Sequence, residues 1–389
     1  MIFREIGWRC EIKEISWSDF PLPLIQVNPP SLDKTSSIVR TAYDNGIFSN
    51  SAELHKKASM TLAQHVNSNF HGYLASNNTM ALTACLISVG VRGKHVILSN
   101  FTFPATLDAI VLAGGIPLIC DIEPESLVLD VERVATLLKN KEYEVAAVVP
   151  TRVFGFVTDL SELIAICESS GVPVIVDAAA SFPSESDSWN FEKTALYEVF
   201  SFHATKVFGI GEGGFVIGDS ESIEKIRQRS NFGFLTGATV NFKDGLNAKA
   251  DEFTAARVLA RFDEYSADVI ARRDFVKIYK DFTADNSEIQ TLNEGPDTIY
   301  SYFPIIFSNE DNLIRFKKIT DTFMMSRRYY FPTLQVGYCG DAKVVFDKNL
   351  TISESVAKRI LCLPVYVSCT EEVKIEVQKL IKSALESLT

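Results

Sequence analysis

Basic charge, histidine and long apolar runs are all scarce in this chain. Only 38 Lys and Arg stand against 49 Asp and Glu, a net charge of −11. A surface of that sign repels phosphate backbones, so nucleic acid is not expected as the main partner. A small phosphorylated ligand remains open, because it needs only a local anion site. The five histidines are scattered, with no pair at helical metal-ligand spacing, and no metal site is expected. No run approaches the ~18 apolar residues of a membrane-spanning helix. Residues 1–17 are charged throughout and lack the apolar centre of a signal peptide. The seven cysteines (Cys10, Cys85, Cys120, Cys167, Cys339, Cys362 and Cys369) are odd in number and contain no Cys-x-x-Cys pair. They read as reduced, mostly buried thiols of a cytoplasmic protein. Internal repeats and low-complexity segments are missing too.

What remains is ordinary globular material. The 389 residues are 47% hydrophobic and 22% charged, enough for a large core and more than one domain. Alternation of charged and apolar residues from Glu5 to Ile15 suggests an edge strand or hairpin. Pro21, Pro23, Pro29 and Pro30 then mark an extended entry. Helical patterns cover 37–43 and 52–66, with a loop at 46–51 between them. From residue 73 the pattern alternates. Strands at 73–75, 95–98, 117–120, 144–149 and 173–176 are separated by helices at 79–89, 104–113, 131–138 and 160–170. This order implies βαβ units, a largely parallel sheet and an α/β fold, with active groups beyond the carboxyl ends of the strands. A long helix over 246–262 leads out of this region. Residues 263–389 mix helices, as at 371–385, with strand-like runs, as at 302–307, in a smaller α+β domain. The expected division is an N-terminal segment 1–25, a large domain 26–262 and a small domain 263–389.

Four strand ends carry candidate chemistry. An apolar run reaches Ser201; Lys206 follows among Phe202, Val207 and Phe208, and a glycine-rich turn, Gly209 to Gly214, leads to a new apolar run. Apolar walls lower a lysine's pKa, and a neutral amine can attack a carbonyl, so Lys206 reads as the covalent partner of a cofactor aldehyde. A solvated surface lysine is the commoner alternative. Asp177 ends the strand Val174-Ile175-Val176 beside three alanines. There it can lie against a flat ring and keep a pyridine nitrogen protonated, or simply cap the next turn. Asn77-Asn78-Thr79 opens a helix after a strand, as an anion site or an ordinary N-cap. Phe101-Thr102-Phe103-Pro104 offers an aromatic face, or plain core packing. Together these are the parts of a pyridoxal phosphate site.

At this point six ordered motifs resemble a known family. They are Ser201-Phe202-His203-Ala204-Thr205-Lys206 with Gly211-Glu212-Gly213-Gly214, Val176-Asp177-Ala178-Ala179, Phe101-Thr102-Phe103-Pro104-Ala105-Thr106, Gly245-Leu246-Asn247-Ala248-Lys249, Arg328-Tyr329-Tyr330-Phe331-Pro332, and Leu363-Pro364-Val365-Tyr366. From about residue 46 to the C-terminus the chain resembles the DegT/DnrJ/EryC1/StrS sugar aminotransferases, which use pyridoxal 5'-phosphate on the aspartate-aminotransferase-like fold type I. The resemblance implies that Lys206 links to the cofactor and shuttles the proton. It implies that Asp177 pairs with the ring nitrogen and Phe103 stacks on the ring. Asn78, Thr79 and Ser201 would hold the phosphate, with Asn247 reaching in from the second subunit of a homodimer. Tyr329 and Tyr330 would border the sugar pocket, with Ser49 and Asn50 beside them.

The implied substrates are L-glutamate and a nucleotide-linked keto sugar. The motif around Lys206 is similar to members that aminate a dTDP-4-keto-6-deoxyhexose for surface-polysaccharide (O-antigen) precursors. A C3-keto sugar, an octulosonate or a cyclitol ketone is the alternative. Dehydratase relatives carry His in place of the lysine, so Lys206 favours transamination. A non-catalytic relative would have lost Lys206 or Asp177, and both are present. Two departures stand out. Asn77-Asn78-Thr79 replaces the family's Ser-Gly-Thr at a tight turn, where Asn tolerates unusual dihedrals. Ala180 replaces the Gln or His that contacts the cofactor's phenolic oxygen.

Overall fold

In the computed structural model, which describes residues 13–67, 69–183, 196–235, 239–240, 244–284 and 286–388, the alternating pattern builds one layered α/β sheet. The alternation seen at 5–12 lies outside these residues. The strands are β1 (His71–Ala75), β2 (His95–Ser99), β3 (Ile116–Cys120), β4 (Val145–Val149), β5 (Ile175–Asp177), β6 (Tyr197–Ser201), β7 (Gly214–Gly218), β8 (Phe303–Ile306), β9 (Val345–Phe346) and β10 (Ile360–Leu363). Two four-stranded ladders, β1-β7-β6-β5 and β4-β2-β3-β9, are joined by the parallel bridges Val148↔Val174 and Thr151↔Asp177. Neighbours from β6 to β9 pair in parallel, while β7 runs antiparallel to both β1 and β6. The reason is the connection. Helices separate the early strands and return the chain for parallel pairing, whereas β6 and β7 are joined only by the loop that carries Lys206.

Alternate residues of each strand feed two different cores. Ile97, Val148, Val176 and Phe200 face one apolar cluster, and Val96, Val149, Ile175 and Val199 the other. Both faces are buried, as expected of strands that read as continuous apolar runs. The free edge at β1 is covered by the helix Glu53–Val66. Leu74 donates its N–H to Ser59 Oγ at 3.2 Å, and its carbonyl meets His55 Nε2 at 2.7 Å. The open edge therefore has no bare backbone at Leu74 to recruit another strand.

A third apolar cluster gathers around the antiparallel pair β8–β10 and the helix Glu371–Glu386, and takes in Phe101, Ile122 and Phe154 from the loops after β2, β3 and β4. The N-terminal segment joins it. Ile15 bridges Cys369, Leu22 bridges Met324, and the Gln26 amide ties to Lys13 O, Ser368 O and the Val367 N–H. The helix expected over 246–262 instead runs Glu252–Thr283. It starts late because Ala248 and Lys249 pair with Ser76 and Ala75, leaving Asp251 to cap Thr254 N–H. It continues because no Gly or Pro interrupts the chain before Gly295.

Candidate active site

Lys206 sits in the turn after β6, pinned to the glycine-rich return. Ala204 N–H donates to Gly211 O at 2.8 Å, Ile210 N–H to Phe202 O at 3.0 Å, and Lys206 N–H to His203 O at 2.8 Å. Gly209 makes this possible: a Cβ there would stand 2.6 Å from Ala204 O and 2.8 Å from Lys206 O. Behind the turn, Phe182, Phe200, Phe202 and Phe208 form a buried aromatic wall, with Phe202 and Phe208 at 4.7 Å between centroids. Burial lowers the Lys206 pKa, and the opposing charge of Asp177 only partly restores it. Lys206 also borders a small polar cavity with Asp268, Arg272 and Ser301.

Asp177 is buried at the end of β5, one strand from Lys206. Burial pushes its carboxyl pKa up, while donors from Thr106 and Ala179, the Lys206 charge and the Asn78 amide pull it back. Thr106 Oγ1 donates to Oδ2 at 2.7 Å, and Ala179 N–H to Oδ1 at 3.2 Å. Across from it, the helix Asn78–Ser88 begins. The Asn77 side chain caps Met80 N–H, so the amides of Asn78 and Thr79 are the first-turn donors left for an anion. Asn78 Nδ2 reaches Val199 O at 3.3 Å, tying the helix start to β6.

The turn itself needs no unusual dihedral. Asn77 is extended (φ −164°, ψ 170°), and Asn78, at the family's glycine position, opens the helix without a positive φ, so the expected tolerance of Asn for strained backbone is not used. The tightness falls on the opposite strand instead. A Cβ on Gly214 would lie 2.4 Å from Asn77 C and 2.7 Å from Asn78 N, and Gly214 pairs with Ser201. Ser201 is buried there and accepts His203 N–H at 3.3 Å.

Other expected residues fall into two groups. Phe103 is 58% exposed and stands before Pro104 at the start of the helix Pro104–Leu112, one turn from Thr106. Its neighbour Phe101 is plain core. Tyr330 takes a positive φ of 56°, packs edge-on to Phe101 at 4.9 Å, and faces Asp177 closely enough that this charge adds to burial in raising its hydroxyl pKa. Tyr329 OH bonds Tyr302 OH at 2.6 Å. Phe103, Tyr329 and Tyr330 line a common cleft of ≈ 420 Å³.

By contrast, Ser49, Asn50 and Asn247 are exposed. Among the described residues no hydrogen bond, ion pair or ring contact joins them to Lys206 or Asp177. The loop of Ser49 and Asn50 packs on the helix start, with Glu252 N–H donating to Phe48 O and Phe48 stacked on Phe253. The Asn247 side chain accepts from Lys249 Nζ at 2.8 Å, and its backbone bridges Asn231. At Ala180 the carbonyl accepts Ser301 Oγ–H at 3.1 Å.

Sequence reasoning missed Thr106, Thr102 and Thr151 around Asp177, and Asn100, which anchors Leu334 and Gln335 through its backbone and side chain. A threonine at an inward position of the helix after Phe103 was the available signal.

A half-buried lysine in the turn after β6, a carboxylate one strand away and a helix N-terminus opposite define a pyridoxal-phosphate enzyme of fold type I. The protein is similar to a crystallised DegT DnrJ EryC1 StrS aminotransferase from Brucella abortus (TM-score 0.78, 23% identity, 90% of this chain and 95% of that one). The DegT/DnrJ/EryC1/StrS aminotransferase family profile matches residues 33–382, and the chain belongs to that family. It is a transaminase, and its cofactor is pyridoxal 5'-phosphate. Curated relatives include the dTDP-4-amino-4,6-dideoxy-D-glucose transaminase of Shigella dysenteriae (28% identity; 91% of this chain, 96% of that protein). Another is the GDP-perosamine synthase of Vibrio cholerae (28%; 90% and 96%). Among the described residues, no helix is long and apolar enough to cross a membrane, and no three or more His, Cys, Asp or Glu gather as a metal site.

Proposed function

We propose that this enzyme moves the amino group of L-glutamate to the keto carbon of a nucleotide-linked 4-keto-6-deoxyhexose, as a homodimer with shared sites. The observation that carries the reading is the mutual placement of Lys206 and Asp177 at neighbouring strand ends, opposite the amides of Asn78 and Thr79. The choice of sugar rests on the relatives named above.

The residues fit the cofactor. The amides of Asn78 and Thr79 and the Ser201 hydroxyl would hold its phosphate, Asp177 would pair with the ring nitrogen, and Phe103 would cover the ring. When bound, the cofactor supplies an electron sink for the pair released as the substrate C–H bond breaks. Lys206 then has one task at its Nζ: to take that proton from the donor's carbon and return it to the acceptor's. Its neutral amine is favoured because the apolar wall disfavours ammonium. Asp177 would keep the ring nitrogen protonated. Tyr329 and Tyr330 border the sugar. Asn247 and the loop of Ser49 and Asn50, exposed on their own chain, complete the partner's site.

The test is an absorbance spectrum of the purified protein. L-glutamate should replace the visible band with a near-ultraviolet one, and one nucleotide keto-sugar should restore it. Restoration only by a C3-keto or non-nucleotide sugar would move the assignment to that substrate class. No response to glutamate would remove the donor assignment.

A further inference from the structure

Asp177 does not stand alone in the core. A line of three buried hydroxyls ends on it. Thr106 Oγ1 lies 2.7 Å from Asp177 Oδ2, Thr102 Oγ1 lies 3.1 Å from Thr106 Oγ1, and Thr151 Oγ1 lies 2.9 Å from Thr102 Oγ1. All three threonines are buried. They come from three separate places: the loop after β2, the helix Pro104–Leu112 and the loop after β4. The last of these also holds the Asp177 backbone, with Asp177 N–H donating to Pro150 O and Arg152 N–H to Asp177 O, both at 2.9 Å.

Chemistry gives the line a direction. A carboxylate has no proton to offer, so Thr106 donates to it. Thr106 then accepts from Thr102, and Thr102 from Thr151, since each hydroxyl has one proton. Packing alone does not call for this arrangement. Valines of the same shape would fill the space without three hydroxyls to satisfy. We propose that Thr106 is a positioning residue for Asp177, and that Thr102 and Thr151 keep its hydroxyl proton aimed at the carboxylate.

The consequence is a carboxylate held ionised in a site that otherwise favours its neutral form. The other groups facing Asp177 are the Lys206 side chain, the Tyr330 hydroxyl and the Asn78 amide. The inference rests on Asp177 as the partner of the cofactor's ring nitrogen.

The test is the dissociation constant of pyridoxal phosphate from the full-length enzyme, measured by equilibrium dialysis across acid and neutral pH. Affinity falls at acid pH as Asp177 protonates. Thr106→Val should move this acid limb up by about one pH unit, the worth of one hydrogen bond to a charged group. Thr106→Ser should restore it, and Thr151→Val should give a smaller shift in the same direction. A Thr106→Val limb that overlays the wild type overturns the inference. So does a Thr106→Ser limb that coincides with Thr106→Val, which would mean that the methyl and not the hydroxyl matters. If Thr106→Val does not fold, Thr151→Val decides: a shift supports the relay and no shift overturns it. Asp177→Asn separates the two ideas. It should abolish the acid limb, and a limb that survives sinks the pairing of Asp177 with the ring, whatever the threonines do.

Discussion

His55 makes acid stability a sharp test of how the sheet edge is closed. The imidazole is 2% exposed and its Nε2 meets the Leu74 carbonyl at 2.7 Å. Burial drives its pKa from 6.5 down to about 4; the Leu74 bond opposes this and Lys56 adds to it. In the unfolded chain the ring protonates near its ordinary value. Between these two values the unfolded state binds the extra proton, so stability rises with pH there and is lost as pH falls from 6.5 toward 4. Below the lower value both states are charged and the loss stops growing.

A shift of this size is worth about 3 kcal/mol in full, and about 2 kcal/mol between about pH 7.5 and about pH 5. His55→Gln keeps an amide donor for Leu74 but cannot titrate. Urea unfolding of both proteins at the two pH values should show the wild type losing about 2 kcal/mol more than the variant. Amide exchange at β1 should accelerate in parallel, because His55 holds that strand. Equal pH dependence of the two proteins would refute the argument, and with it the view that His55 stays neutral in the fold.

Other outcomes follow from the same reasoning. Lys206→Ala should lower turnover roughly a thousandfold or more while the phosphate and ring contacts still retain cofactor, as steady-state kinetics and absorbance would show. Gly214→Ala drives a Cβ into the Asn77–Asn78 backbone, so cofactor affinity measured by dialysis should drop at least about tenfold in a protein that still folds. Asp268→Ala takes the nearer of two carboxylates from the buried Arg261 guanidinium, leaving Glu264 at 3.8 Å, and should cost roughly 3–5 kcal/mol in urea unfolding. A loss under about 1 kcal/mol would mean that Arg261 finds another partner.

The periodic part of the fold was legible because each strand buries both faces. Runs such as Ile116–Cys120 and Val145–Val149 are apolar throughout, and helices of ordinary length separate the early strands. Lys206 and Asp177 could be read as well, since an ionisable residue at the end of an apolar strand is conspicuous. The reversed direction of β7 could not be read from periodicity, which is the same for either direction. Nor could the start of the helix Glu252–Thr283, because tertiary pairing of Ala248 and Lys249 with β1 overrides the helical pattern at 246–250.

The sequence by itself determined the layered α/β architecture, the chemistry of the lysine and carboxylate, and the family. These depend on local runs and on residue types in order along the chain. Only the tertiary structure decided that Thr106, 71 residues before Asp177, donates to its carboxylate, and that Gly214 must be bare for the Asn77–Asn78 turn to close on Ser201. It also decided that the N-terminal segment packs with the chain's far end. Those contacts join residues through space, and nothing in the local pattern of either partner specifies the other.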